Sequence, residues 1–150
     1  MYFVDRTKIS ITLTHMKRMV RVLEDSPELT ANVIGELALE RIGHNIIESI
    51  IDVGNSVIDG FIMRDPGSYD DIIDILTDEK VISAEMDSSL KEVVSLRKTL
   101  VRDFASVNHQ EVAEKLKANI VALQQFPDKV EHYLIHELGP VSAFLPEEKA

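Results

Sequence analysis

Between Ile46 and Ile62 the chain sets nine large apolar residues where no single neighbouring helix could cover them. Ile46, Ile47, Ile50, Ile51, Val53, Val57, Ile58, Phe61 and Ile62 spread over about 180° of a helix surface at 3.6 residues per turn. A helix with so wide an apolar arc must be packed on two sides. With the helical pattern of the other segments, that requirement points to an all-α fold. Ser26-Pro27-Glu28 reads as the start of this long helix, because Ser caps, Pro fits the first helical position and Glu suits the positive end of the dipole. The helix is expected to run to about Ile62. Gly43 and Gly54 lie inside the arc, and each costs about 1 kcal/mol relative to Ala. Their presence predicts close approach of another helix, and with the wide arc it predicts a homodimer joined through the long helices.

The other segments repeat the pattern. Ile9, Leu13, Met16, Val20 and Leu23 form one face of a first helix from Asp5, a plausible N-cap, to about Leu23. Met63 to Ser68 is a turn, and Ser68 can cap a short helix from Tyr69 to Asp78. A fourth helix is expected from Ser83 to Ala105. Asn108-His109-Gln110-Glu111 has the form of a capping box opening a fifth. Pro127 is expected to kink that helix near Leu123 to Phe126, and Gly139-Pro140 to stop it. The expectation is four long helices and a short one, in a single domain over residues 1–140, with a flexible tail over 141–150.

One charge breaks the apolar pattern. Leu90, Val93, Val94, Val101 and Phe104 all fall within roughly 60° of Arg97 on an ideal helix. A guanidinium on such a stripe is costly unless it is paired or faces a wet cleft. The opposite arc of the long helix carries His44, Glu48, Asp52, Asn55 and Asp59. It is either a solvated face or, in part, the lining of a cleft that receives Arg97. The sequence alone does not choose among the carboxylates, though the Glu48 and Asp52 region is the expected partner.

The composition narrows the function. Net charge is −10 and the pI near 4.9, which opposes broad non-specific nucleic-acid binding but allows a local basic site. Cysteine is absent, so no disulfide or thiolate chemistry is expected. No apolar run is long enough for a transmembrane helix, the N-terminus lacks a signal-peptide pattern, and the cytosol is the expected location. There is no glycine-rich phosphate loop and no nucleophile motif for Ser-His-Asp catalysis. His132 and His136 have metal-compatible spacing without the Glu of a zincin motif, so they read as an ordinary helix end. Asp70, Asp71 and Asp74 read as a solvated helix face. Neither a metal nor a cofactor is expected.

Several segments in order resemble the HepT-like proteins of the HEPN superfamily, over nearly the whole chain. They are Val4-Asp5-Arg6; Leu39-Glu40-Arg41 followed by Ile47-Glu48 and Ile51-Asp52-Val53-Gly54-Asn55; Pro66 with Ser68-Tyr69; and Leu96 through Phe104. The resemblance implies an up-and-down bundle of four long helices plus a short one, a homodimer formed through the long helices, and metal-independent RNA cleavage by a motif of Arg, four to six residues, then His. It also implies a minimal nucleotidyltransferase antitoxin as partner, which adenylylates a Tyr just beyond that His.

The chain departs from this motif. Arg97 keeps the Arg, but Lys98 stands where Asn is usual, Arg102 where His is expected, and Phe104 where Tyr is expected. Arginine, with a pKa above about 12, is a poor base at neutral pH, though it can bind phosphate or stabilise developing charge. Phe104 offers no hydroxyl. Arg97 and Arg102 also diverge by about 140° on an ideal helix. They can share a site only through dimer contacts, a distorted helix end or side-chain reach. His109 is a candidate replacement acid–base, or simply a capping-turn residue. The expected site therefore comprises Arg97 and Arg102 as catalytic positions, lined by Lys98, Phe104, Glu48, Asp52 and Asn55. Three functions remain: first a HepT-like ribonuclease with weakened or lost cleavage, and second a non-catalytic dimeric module that binds a nucleotidyltransferase, another protein or a nucleotide. RNA binding through Arg97, Lys98 and Arg102 without cleavage is a third.

Overall fold

The computed structural model describes residues 4–139. The expected tail over 141–150, and Pro140 of the helix stop, lie outside them. Six α-helices occur among the described residues, with no strand: α1 (Arg6–Asp25), α2 (Val33–Gly60), α3 (Tyr69–Asp78), α4 (Ala84–Arg97), α5 (His109–Ala118) and α6 (Ile120–Leu138). The 28-residue α2 is the axis of the bundle. It packs against α1, α3, α4 and α5, while α6 lies along α1 and α4. Ile46, Ile47, Ile50, Val53, Val57 and Ile58 are all essentially sealed from solvent. At roughly 1.5–3 kcal/mol for each such side chain, this arc is the main source of cohesion.

The sequence signals at helix ends operate in part as expected. Asp5 accepts from the Lys8 amide, Ser68 from Asp71, and Asn108 from Glu111. Gly139 ends α6 at φ 79°. The start of α2 is different. Ser26 closes α1 by donating its amide to the Leu23 carbonyl instead of opening a helix. A 3-10 turn over Leu29–Ala31 follows, and Asn32 caps α2 by accepting from the Gly35 amide at 2.8 Å. An Asn in extended conformation satisfies the orphan amides better than a continued helix through Pro27 could.

Two further corrections concern interruptions. The predicted fifth helix is divided at Asn119 into α5 and α6, and Pro127 sits buried inside α6. Buried Asn119 donates to the Lys115 carbonyl at 2.8 Å and to Glu92 at 2.7 Å. Its amide thus ends α5 and ties that end to α4. The predicted fourth helix does not reach Ala105 either. After Arg97 it widens into a π turn over Lys98–Arg102, closed by the Asp103 amide on the Lys98 carbonyl at 2.9 Å.

Gly43 and Gly54 do admit close neighbours, but inside one protomer. A Cβ on Gly43 would stand 3.2 Å from Leu100 and 3.4 Å from Leu116. One on Gly54 would stand 2.5 Å from Ile72. Apart from Ile62, which lies beyond the end of α2 at Gly60 with φ 56° and is 73% exposed, the wide apolar arc is covered by the chain's own helices, so neither feature by itself calls for a second copy.

Gly35 is the most constrained glycine. A Cβ there would lie 2.2 Å from the Leu29 carbonyl oxygen. An exposed helical Gly→Ala change ordinarily stabilises by about 1 kcal/mol. Gly35→Ala should instead destabilise by about 1–3 kcal/mol, because backbone must move. Thermal melting should fall by about 2–4 °C per kcal/mol for a chain of this size. A raised melting temperature would show that the 3-10 turn is not seated on α2.

Candidate functional site

Arg97 ends α4 and reaches across to α2. Its Nε donates to Glu48 Oε2 at 3.2 Å and its Nη2 to Glu48 Oε1 at 3.4 Å. The guanidinium carbon stands 4.8 Å from the centroid of the Tyr69 ring, a cation–π arrangement. Arg97 is half-buried, and the hydrogen bond it donates to Glu48 raises its pKa above the ordinary arginine value against the opposing effect of burial. The charge on the apolar stripe is therefore held by one carboxylate and one aromatic face.

The π turn decides which side chains join it. Bonds closed over five residues put more than 3.6 residues in each turn, so side chains five apart swing back toward each other. Arg97, Lys98 and Arg102 consequently line one cavity of about 530 Å³, together with Ser68, Tyr69, Asp70, Val94 and Ser95. Lys98 and Arg102 are exposed and make no ion pair among the described residues. Three cations converge on a protein whose formal charge is −10. Such a cavity suits an anion, and a phosphodiester fits its size and charge.

The expected lining needs correction at three positions. Asp52 does not pair with Arg97. It lines a neighbouring cavity of about 400 Å³ between α1 and α2, which also contains His15, Arg41, His44 and Glu48. Asn55 lines neither cavity, because two further helical turns carry it about 10 Å beyond Glu48. Phe104 is 68% exposed and also outside the cavity, since the helix has ended before it and the chain turns over Asp103–Ser106. His109 is engaged elsewhere: its Nε2 lies 2.7 Å from Glu40 Oε2 and its Nδ1 3.7 Å from Glu36. Glu40 lies two turns, or about 12 Å, from Glu48 along α2.

Tyr69 was not among the expected site residues. The available signal was an aromatic residue directly after a helix cap, in an otherwise acidic first turn. Its position depends on Asp71, which accepts from both terminal nitrogens of Arg64 at 2.7 and 2.8 Å and from the Gly67 amide at 2.8 Å. Asp74 pairs with Lys91, which also reaches Asp87. Asp71 and Asp74 are thus ion-paired, while Asp70 stays exposed on a solvated face, and the pairs fasten the α2–α3 loop and α4. His132 and His136 stack at 6.3 Å on α6, and among the described residues no group of three or more His, Asp or Glu is arranged to hold a metal. No helix there is long and apolar enough to cross a membrane.

Comparison with known proteins places this geometry in context. The HepT-like family, described as Ribonuclease HepT-like, matches residues 10–130. YutE of Bacillus subtilis (strain 168), provisionally named as an RNase, is 51% identical over 144 residues, spanning 96% of this chain and 99% of that protein. The solved structure of Bacillus subtilis YutE, described as a cytosolic protein of unknown function, superposes with a TM-score of 0.92 over 96% of this chain and all of that one. A tri-AMPylated Shewanella oneidensis HEPN toxin, in complex with an MNT antitoxin, superposes with a TM-score of 0.70 at 20% identity, over 88% of this chain and 99% of the toxin. At that identity the likeness is one of fold.

The Asp71 clamp has a pH signature. Arg64, and then the Gly67 amide, lower the Asp71 carboxyl to about 2 from its ordinary 3.8. A carboxyl depressed in the folded state contributes stability above its ordinary pKa and loses it as pH falls through the folded value. The Asp71 carboxyl carbon, followed by NMR, should titrate near about 2. A midpoint near 3.8 would show that Arg64 and Gly67 do not hold it in solution.

Proposed function

The chain belongs to the HepT-like ribonuclease family, and on that premise we propose that it acts on RNA at the cavity of Arg97, Lys98 and Arg102, with weak, metal-independent cleavage. The supporting observation is the π turn, which brings the family's Arg position and its His position into one cavity. Arg97, held by Glu48, offers its remaining nitrogen Nη1 to a phosphate. Arg102 adds a second charge but no base, because a guanidinium does not release its proton at neutral pH. With no proton acceptor at position 102, cleavage rests more heavily on charge stabilisation, which accounts for its weakness rather than its absence.

A second reading is favoured by a specific observation. Phe104 and Arg102 together remove the hydroxyl and the imidazole that the family motif supplies, as in a module that binds without cutting. The likeness to a toxin held by an MNT antitoxin supports a minimal nucleotidyltransferase as partner in either reading. Adenylylation at position 104 has no acceptor oxygen. We further propose a cytosolic homodimer. Val33, Ile34 and Leu37, at 67%, 76% and 55% exposure, leave the first turns of α2 with apolar side chains in water.

RNA labelled at one end, incubated in excess EDTA, tests the cleavage reading. Lys98→Asn with Arg102→His should raise cleavage by about 10²–10⁴-fold, the usual worth of general acid–base catalysis. Adding Arg97→Ala should abolish it. No gain in the folded double variant would favour the binding module. Light scattering at micromolar concentration should report twice the 16.9 kDa chain. A single-chain mass would remove the homodimer.

A further inference from the structure

Glu48 is shared between two side chains. Its Oε1 stands 3.4 Å from Arg97 Nη2 and 3.6 Å from His44 Nε2. His44 precedes Glu48 by one turn of α2, so the helix itself enforces the approach. The His44 side chain is 34% exposed and opens on the 400 Å³ cavity beside the Arg97 cavity. The other histidines are placed differently. His15 Nε2 is engaged with Asn45 Oδ1 at 2.7 Å. His109 is held by Glu40. His132 and His136 line a separate cavity against α6. His44 alone among the five touches the carboxylate that holds Arg97.

Resting on the ribonuclease reading above, we propose that His44 is the acid–base residue of this site, supplying from α2 the imidazole that the π turn lacks. Imidazole accepts and releases protons near neutral pH, which a guanidinium cannot. The RNA phosphate lies against Arg97 Nη1, Lys98 and Arg102. An imidazole nitrogen of His44 takes the 2′-hydroxyl proton as O2′ bonds to the adjacent phosphorus. The bond from phosphorus to the 5′-oxygen breaks, and that oxygen leaves with a proton from water. The imidazolium then gives its proton to the hydroxide left behind. The products are a 2′,3′-cyclic phosphate and a 5′-hydroxyl. Glu48 is a positioning residue: it fixes Arg97, and its charge favours the imidazolium as it forms. The titratable and charged groups facing His44 are His15 from α1, Arg41, Glu48 and Asp52 along α2, and Arg97 from α4.

The test uses the full chain, labelled single-stranded RNA in excess EDTA, and a 2′-O-methyl RNA that binds but cannot be cleaved. Wild type should cleave slowly and leave 2′,3′-cyclic ends. His44→Gln should lower kcat by about 10²–10⁴-fold. Its affinity for 2′-O-methyl RNA should stay within about twofold, as for a group that acts in the transition state. His136→Gln should behave as wild type. Unchanged cleavage in His44→Gln would overturn the assignment while leaving the ribonuclease reading intact. Wild type that binds the 2′-O-methyl RNA through Arg97 but never cleaves RNA would also overturn it, in favour of the binding module. If Arg97→Ala leaves that binding unchanged, the ribonuclease reading falls and the role of His44 with it.

Discussion

The burial of α2 governs this molecule. Its apolar residues wrap so far around the helix that α1, α3, α4 and α5 are all drawn to it. Along its middle turns, what remains uncovered is a strip where His44, Glu48 and Asp52 reach solvent beside α1. The polar face of α2 that Arg97 can meet is confined to that strip, because the neighbouring faces of these turns are committed to packing. A carboxylate there meets few competitors, so Arg97 finds Glu48 without a search among many partners. The pair is half-open to water, which limits its contribution to stability but keeps the guanidinium accessible.

Much of the architecture could be read from residue order. The three- and four-residue spacing in α1, the caps at Asp5, Ser68 and Asn108, and the reversal at Gly139 are local signals with local causes. Arg97 also stood out, since a cation on an apolar stripe demands an explanation. The failures share a physical origin. Ser26-Pro27-Glu28 carries a good helix-start signal, but Asn32 carries a better one, and the competition between them is settled by how Leu29 packs against Gly35. Asn119 ends α5 because its side chain finds Glu92 on another helix. Nothing in the sequence near residue 119 announces that meeting.

The site was legible in its charges and not in its geometry. Arg97 and its expected acidic partner are visible as a mismatch on two helical stripes. The partnership of Tyr69 with Arg97 depends on a loop clamped by Asp71, a long-range arrangement without sequence periodicity. Phe104 was expected on the stripe because a continuous α-helix was assumed; the π turn and the early end of the helix carry it into solvent instead. Gly43 and Gly54 show the same limit from another side. Their small size signals close contact, yet whether the contact is within a chain or between chains is a property of the whole fold.

The π turn over Lys98–Arg102 separates two quantities that a sequence motif treats as one. A motif counts residues, whereas a bound phosphate responds to rotation about the helix axis. Removing one residue from this turn would restore ordinary α-helix, with the second arginine four places after the first and displaced by only about 40°. The longer spacing on a wide turn and the shorter spacing on a narrow one therefore aim their side chains in nearly the same direction. A gap of variable length between two functional residues is then no sign of a loosely specified site. What such a chain must preserve is an angle, and it can gain or lose a residue while keeping it.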